Sequence, residues 1–408
     1  MQQRYYRIDH DKTVAAEFAT RLKHQLGGTS LYPRIRAFKK LVLVSLLTCF
    51  VASCTALSIP QPRAIISSSL PLQLLWQIQL DEAVAQQPLI TEQVIVVLST
   101  KALYGLDSHS GNQLWRQPTV YQRGAFPMVV SDKMVVYGDS AGYTTALALN
   151  TGDVVWRYKI GDGNTDFMNS IALDEHLFFA LAQPTYVEAR KLDTGELIWQ
   201  LEGSEHNIDT RGAYLFVQSE KLYIVTAQQV HIVNKATGQI EKVVDASVYG
   251  AQVVNKRLYD SHAVFDLNTF DLLFALKPSS RKLLYGNCEQ FKLPYTISED
   301  FVYGAGYCGG IFAIQPKGEI AWAYHEALDS ETPMALFNAD LYALFDNGEI
   351  HAINPLTGEN QGILKTNGPL PGFVANSNFA SRGLTTNGSV LIATFNDLSV
   401  WAFSSVAK

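Results

Sequence analysis

The side chains most able to do chemistry in this sequence are nine histidines and four cysteines. The histidines contain no His-x₃-His pair and the cysteines no Cys-x₂-Cys pair, so neither set has the spacing of a zinc site. His109, His231 and His351 fall in or beside short strand-like segments, where they are interpreted as ordinary strand or turn residues. We therefore predict no metal site, no catalytic residue and no cofactor.

One cysteine has a different chemical context. The basic segment Arg34–Lys40 precedes an apolar run from Leu41 to Ser53, which is the pattern of a secretory signal. The run ends in Val51-Ala52-Ser53-Cys54, which is similar to a bacterial lipobox: small residues precede a cysteine that is acylated on its sulfur and amine after cleavage. The sequence thus predicts a lipid anchor at Cys54. The resemblance to lipoproteins also implies a location: in that family an Asp after the cysteine favours the inner membrane, and Thr55 at this position favours the outer membrane.

Two other interpretations of this segment stay open, an uncleaved membrane helix and a buried cysteine in an ordinary apolar stretch. The uncharged run is about as long as a membrane span, but polar residues and proline dilute its second half. Residues 1–33 precede the basic segment, either because the start codon lies too far upstream or because the chain has a cytoplasmic extension. We assign 1–53 to this extension plus the signal peptide, 54–72 to a proline- and serine-containing lipidated tether, and 73–408 to the folded part.

Cys288 and Cys308 are the two cysteines of the folded part. In an oxidising compartment they are a candidate disulfide, which would contribute at most about 3 kcal/mol by closing its loop. The alternative is two free, buried thiols.

The composition bounds the class of protein. With 47% hydrophobic and 17% charged residues, the chain is too apolar to be disordered. A formal net charge of −6 gives no electrostatic reason to expect a nucleic-acid partner.

A pattern recurs about every forty residues, which is the length of a propeller blade. An apolar strand leads to a polar turn with Gly, and a second strand carries an aromatic residue four positions later. The turn residues are Gly111, Gly152, Gly195, Gly238, Phe270, Gly318 and Gly358. The motifs end at Trp115, Trp156, Trp199, Lys242, Phe274, Trp322 and Gly362. A short interval predicts a trimmed blade around 255–266, and a long one an inserted loop around 276–292.

An eighth copy is divided between the chain ends. Val400–Ser404 supplies its first strand, and the segment LLWQIQL, which contains Trp76, supplies the aromatic strand. The predicted fold is all-β: an eight-bladed β-propeller of four-stranded antiparallel blades, closed by pairing of the N- and C-terminal strands. The turn glycine takes positive φ, and the aromatic residue packs between blades.

These motifs resemble the PQQ-like, quinoprotein-type repeat, and LDTGELIW at Leu192–Trp199 is the best copy. Together with the lipobox and short tether, the propeller resembles the BamB family of outer-membrane assembly lipoproteins. That resemblance implies a non-catalytic scaffold, lipid-anchored in the outer membrane and facing the periplasm, with a BamA-like barrel insertase as partner.

The resemblance also implies a partner-binding loop after the third Trp motif. In the BamB family this loop has an apolar-x-apolar-Arg-Gly segment, which Ile208, Arg211 and Gly212 match. Thr210 replaces the second apolar residue, and the family's Glu-Ser-Ala-Pro does not follow. A plain surface arginine is the alternative.

Quinoprotein dehydrogenases share the repeat and imply a second class of function. Their adjacent Cys-Cys pair is missing from this sequence. The remaining alternatives are such a dehydrogenase and a periplasmic propeller that binds a small ligand or glycan.

Overall fold

The computed structural model describes residues 63–406 except 83, 120–126, 140–141, 161–166, 184–185, 207, 210–212, 247, 249–251, 261, 277–290, 307–309, 325–332, 368–382 and 396. These residues belong to one compact unit that is almost entirely β-strand. No helix in these ranges is long and apolar enough to span a bilayer. The predicted lipidation site, Cys54, lies outside them, as do Cys288, Cys308, Arg211 and Gly212.

Eight antiparallel sheets follow one another along the chain, as the repeat predicts. Blade 1 contains β3 (Leu89–Ile90), β4 (Val94–Leu98), β5 (Ala102–Asp107) and β6 (Gln113–Pro118). Blade 2 contains β7 (Met128–Val130), β8 (Met134–Gly138), β9 (Tyr143–Ala148) and β10 (Val154–Lys159). Blade 3 contains β11 (Phe167–Leu173), β12 (Leu177–Gln183), β13 (Tyr186–Lys191) and β14 (Leu197–Glu202), followed by a single helical turn, α1 (Gly203–His206).

Blade 4 contains β15 (Tyr214–Gln218), β16 (Lys221–Val225), β17 (Gln229–Asn234) and β18 (Ile240–Asp245). Blade 5 contains β19 (Gln252–Val254), β20 (Arg257–Tyr259), β21 (Ala263–Asp266) and β22 (Leu272–Ala275). Its strands are only three or four residues long, which confirms the trimmed blade. Blade 6 contains β23 (Phe291–Ile297), β24 (Val302–Gly306), β25 (Ile311–Ile314) and β26 (Ile320–Tyr324). The insertion predicted before blade 6 lies mostly outside the described residues.

Blade 7 contains β27 (Ala335–Phe337), β28 (Asp340–Leu344), β29 (Ile350–Ile353) and β30 (Asn360–Thr366). Blade 8 contains β31 (Gly383–Thr386), β32 (Leu391–Thr394) and β33 (Ser399–Ser405), and its outer strand is β2 (Leu72–Gln79). Trp76 lies opposite Ala402 in this pair. The predicted closure of the ring by the two chain ends is therefore confirmed.

The N-terminal segment differs from the expectation. β1 (Ile65–Ser68) pairs with β30 and adds a fifth strand to blade 7. The sequence boundary at Leu72 places these residues in the tether, but the structure includes the chain in the propeller from Arg63 onwards. The proline and serine content predicts a tether because it reflects only local conformational preference. The strand pairing depends instead on partners about 300 residues away in the chain.

The described core side chains fall into eight clusters, and each cluster lies at a seam, meaning the interface between two consecutive blades. Hydrophobic burial between the blades thus stabilises the ring.

In each blade the turns between strands one and two have two to four residues, and connections from the fourth strand to the next blade have six to sixteen. Because strand direction alternates, these long connections share one face with the turns between strands two and three. We call it the loop face.

Candidate partner-binding surface

Most seams are held by the same contact. The indole of a tryptophan on the fourth strand packs on the turn glycine of the next blade, where an added Cβ would lie 2.6–2.9 Å from ring carbons. The indole N–H also donates to a carbonyl three residues before that glycine, for example from Trp115 to Leu149 at 2.7 Å and from Trp199 to Lys235 at 2.8 Å. Trp76 makes this contact with Ser108 across the closing seam. The aromatic residue and the glycine of the motif are therefore two halves of one inter-blade joint.

The turns of the repeat have the predicted chemistry. Gly195 and Gly238 have φ of +69° and +75°, a region that glycine adopts without a Cβ penalty. The side chain of Asn234 accepts the backbone N–H of Ala236 and of Thr237, which fixes the turn before Gly238. Turns of this type hold most of the seams and leave the longer connections available for recognition.

The loop predicted to bind a partner joins blade 3 to blade 4 on the loop face. It begins with α1 directly after β14, and the N–H of Ile208 donates to the carbonyl of Gly203 at 2.8 Å. Ser204 and Glu205 are exposed. The described part of the loop is thus anchored at its start by a helical turn and presents polar side chains.

Ile208 itself does not face solvent. It is 2% exposed and packs with Ala213, Leu215 and other core residues at the seam between blades 3 and 4. Its side chain therefore holds the loop down and does not form a contact surface in this conformation. Arg211 and Gly212 lie outside the described residues, so their role in partner binding stays a prediction.

Close to this loop lies His231, which is interpreted from the sequence as an ordinary strand residue. His231, on β17, is 1% exposed, and neither ring nitrogen has a hydrogen-bond partner within the described part of the chain. Burial lowers the pKa of His231, and the nearby His206 of α1 lowers it further. The seam that supports the loop therefore favours the neutral imidazole.

A residue that the sequence interpretation missed is Arg63. Its guanidinium is 3% exposed and donates to Asp397 at 2.8 Å and to Thr366 at 2.6 Å. It also lies over the ring of Phe395, 4.5 Å from the centroid. A signal was present in the sequence, because Arg63 is the one charged residue between Lys40 and Asp81.

One segment matches a catalytic sequence motif, but its flanking elements differ from those that the motif requires. Gly138–Gly142 reads GDSAG, which matches the G-x-S-x-G nucleophile elbow. That elbow requires a strand, a sharp turn and then a helix. Here the segment joins β8 to the antiparallel strand β9, and Asp139 accepts the backbone N–H of Tyr143 at 2.9 Å. The segment therefore stands between two antiparallel strands of blade 2 and not between a strand and a helix.

The face opposite the loop face carries an open groove of about 840 Å³ between blades 2 and 3. Its charged residues include Asp132, Lys133 and His176, while Lys191 is paired with Glu196 at 2.6 Å. Within the described ranges no three His, Cys, Asp or Glu side chains converge as metal ligands. The groove therefore presents mixed surface charge with no clustered donor set.

Comparison with known proteins agrees with this architecture. A family model described as "Outer membrane protein assembly factor BamB" matches residues 73–244. BamB from Moraxella catarrhalis superimposes with a TM-score of 0.60 and 17% identity, covering 82% of this chain and 99% of that one. No curated protein sequence matches significantly.

Two other structures show how widely the fold is used. The computationally designed Ika8 protein has a TM-score of 0.58 and 14% identity, covering 81% of this chain and 99% of that one. The quinohemoprotein alcohol dehydrogenase ADHIIG from Pseudomonas putida HK5 has a TM-score of 0.59 and 14% identity, covering 83% and 77%. At such identities these structures demonstrate the fold alone. With its eight blades and Trp-on-Gly joints, this chain is an eight-bladed β-propeller that is similar to the BamB family over residues 73–244.

Proposed function

We propose that this chain is a non-catalytic, lipid-anchored scaffold of outer-membrane β-barrel assembly that faces the periplasm and binds a BamA-like partner. The observation that carries the proposal is the BamB-family match, which spans 73–244 and so includes the loop between blades 3 and 4. The lipobox ending at Cys54 supports the membrane location.

The surface supports a binding role in two ways. The loop face carries long connections on a rigid ring, an arrangement in which loops can be used for recognition. The outer strands also expose apolar side chains beside the seam aromatics, and blade 7 already accepts an added strand, β1. Exposed members of this set are Leu114, Val154, Leu197 and Leu272. Extended segments of barrel proteins could pair with such edges by β-augmentation.

The first test is a detergent pull-down of the tagged full-length chain from its native membrane, followed by mass spectrometry. We expect recovery of a BamA-like barrel with periplasmic domains, lost in Arg211→Glu. Lys133→Glu is the matched control, because it reverses one exposed charge in a turn on the opposite face. Loss in both variants, or no such barrel with the wild-type chain, would contradict the proposal.

Catalysis as a quinoprotein is the alternative that the shared fold raises. Adjacent cysteines, which the resemblance implies for that class, are missing from this sequence. PQQ- and Ca²⁺-dependent reduction of an electron-accepting dye by the purified chain would contradict the non-catalytic proposal.

A further inference from the structure

The N-terminal arm, residues 63–71, is attached to the propeller along its length. The side chain of Asn367 accepts the N–H of Ala64, the N–H of Asn367 donates back to the carbonyl of Ala64, and β1 continues the pairing with β30. The N–H of Ile363 donates to Ser69 Oγ at 2.9 Å. The arm is therefore an element of blade 7.

The arm also fills a missing joint. At the position where five of the blades carry tryptophan, blade 7 has Gly362. A Cβ there would lie 2.8 Å from the carbonyl oxygen of Ser69 and 3.1 Å from Leu70. Leu70 is buried and packs into the cluster at the seam between blades 7 and 8. The arm thus occupies the space that an indole would take.

Residues of blades 7 and 8 form a pocket around Arg63, the first residue of the arm, and we call this pocket the socket. Blade 7 contributes Thr366, which accepts a hydrogen bond from Arg63, and Gly348. A Cβ added at Gly348 would lie 2.2 Å from the guanidinium of Arg63. Blade 8 contributes Asp397 and Phe395. Because the guanidinium is buried and satisfied from both blades, the chain enters the propeller at one fixed point.

That point is on the loop face. Thr366 ends the fourth strand of blade 7, and Gly348 lies between its second and third strands, and both positions belong to the loop face. The seam between blades 7 and 8 is four blades from the seam between blades 3 and 4. The arm therefore starts on the same face as the candidate partner loop but on the opposite side of the ring.

The number of residues between Cys54 and Arg63 then limits how far the socket can lie from a lipid anchor at Cys54. Nine residue steps separate Cys54 from Arg63, and a fully extended chain of this length spans about 30 Å. A free chain to Leu72 would span about twice that distance. Provided that Cys54 is acylated as proposed above, we propose that the loop-face rim at blades 7 and 8 is the side of the propeller that faces the phospholipid surface. The candidate partner loop then lies on the far rim.

The test uses the acylated full-length chain in vesicles of phosphatidylethanolamine and phosphatidylglycerol with an acceptor dye on the headgroups. A donor dye is attached through a genetically encoded azide at position 365 or 202. Lys365 and Glu202 are exposed and occupy equivalent positions of β30 and β14, so they are matched apart from their side of the ring. We expect transfer from 365 to exceed that from 202 by about twofold, because the short chain limits only the near rim.

A second variant lengthens the tether without touching the socket, by inserting twelve Gly/Ser residues after Ala56. We expect the two transfer efficiencies to converge. Equal efficiencies in the uninserted, acylated chain would overturn the orientation and leave the scaffold function intact. Mass spectrometry of Cys54 separates the two failures, because an unacylated cysteine would overturn the anchor and the orientation with it.

Discussion

Blades 4 and 7 both end the repeat without a tryptophan, at Lys242 and Gly362, and both begin it with a histidine, His231 and His351. At the seam after blade 7, the N-terminal arm supplies Leu70 in place of the indole. At the seam after blade 4, the aromatic residue comes from the other side of the seam. The turn of blade 5 has Phe270 where other blades have glycine, and the Phe270 ring lies 6.3 Å from the ring of Tyr223 in blade 4. Each of these two seams thus contains a large apolar side chain in place of the indole. Either of the two blades or a third segment of the chain can supply that side chain.

The two histidines differ in what surrounds them. His351 is hydrogen-bonded to Tyr324 of blade 6 at 2.8 Å and to Glu349 at 3.1 Å. The equivalent neighbours of His231 are Leu201 and Gln229, and Gln229 donates instead to Asp245. Histidine at the same position of the blade therefore has hydrogen-bond partners in blade 7, and in blade 4 it has none among the residues that the structure describes.

The Glu349 carboxyl shows the consequence for charge. Burial raises its pKa, but hydrogen bonds from His351 and Asn347 outweigh burial and hold the pKa below its usual range. Blade 7 thus stabilises polar groups by pairing them, whereas in blade 4 burial lowers the pKa of the His231 imidazole.

The largest effect is expected when the arm of blade 7 is released. Arg63→Ala should lower the free energy of unfolding by about 3–5 kcal/mol, because Asp397 would remain buried without its cation. Urea titration followed by tryptophan fluorescence measures this. The control is Arg157→Ala, whose pair with Asp139 is solvent-exposed on the arginine side and should be worth at most about 1 kcal/mol. Equal losses in the two variants would contradict the role of the arm.

An intermediate effect is expected at the seam after blade 4. Lys242→Trp or Phe270→Gly alone should destabilise the fold, because the first adds an indole to an occupied seam and the second removes the aromatic contact. The double variant rebuilds the Trp-on-Gly joint, so a double-mutant cycle should give a favourable coupling of about 1–3 kcal/mol. Additive effects would mean that Phe270 does not substitute for the indole.

The smallest effect is the response of blade 4 to pH. Because the pKa of His231 is lowered in the folded state, the unfolded chain takes up its proton first as the pH falls. Stability is therefore full above the ordinary histidine pKa of about 6.5 and is lost below it, by at most about 1.4 kcal/mol per pH unit. Thermal melts between pH 7.5 and 5 should show a smaller loss for His231→Leu than for wild type.

His351→Leu serves as the contrast in the same melts. It should destabilise the fold already at pH 7.5, because Tyr324 and Glu349 lose their shared partner. If His231→Leu behaved in the same way, the two histidines would not differ as described.

The repeat made the ring predictable, because each blade restates the same turn and aromatic residue and the incomplete copies at the two ends complement each other. The arm was not predictable, since no local feature of 63–71 reveals that Thr366 and Asp397 form a socket for Arg63. Ile208 was placed in the right loop by its spacing from Trp199, but spacing does not tell whether a side chain points outward or into a seam. Burial at a seam depends on the neighbouring blade, which the local sequence does not contain.

The pairing of β2 with β33 also has a consequence in time. Leu72 lies opposite Ser405, so β2 is synthesised more than 300 residues before the strand that is its partner. Until then the growing chain has an unpaired apolar edge at its start and an incomplete eighth blade, which is the condition that slows folding and favours aggregation. A truncation of only the last ten residues would therefore leave the ring open, however many blades had already formed.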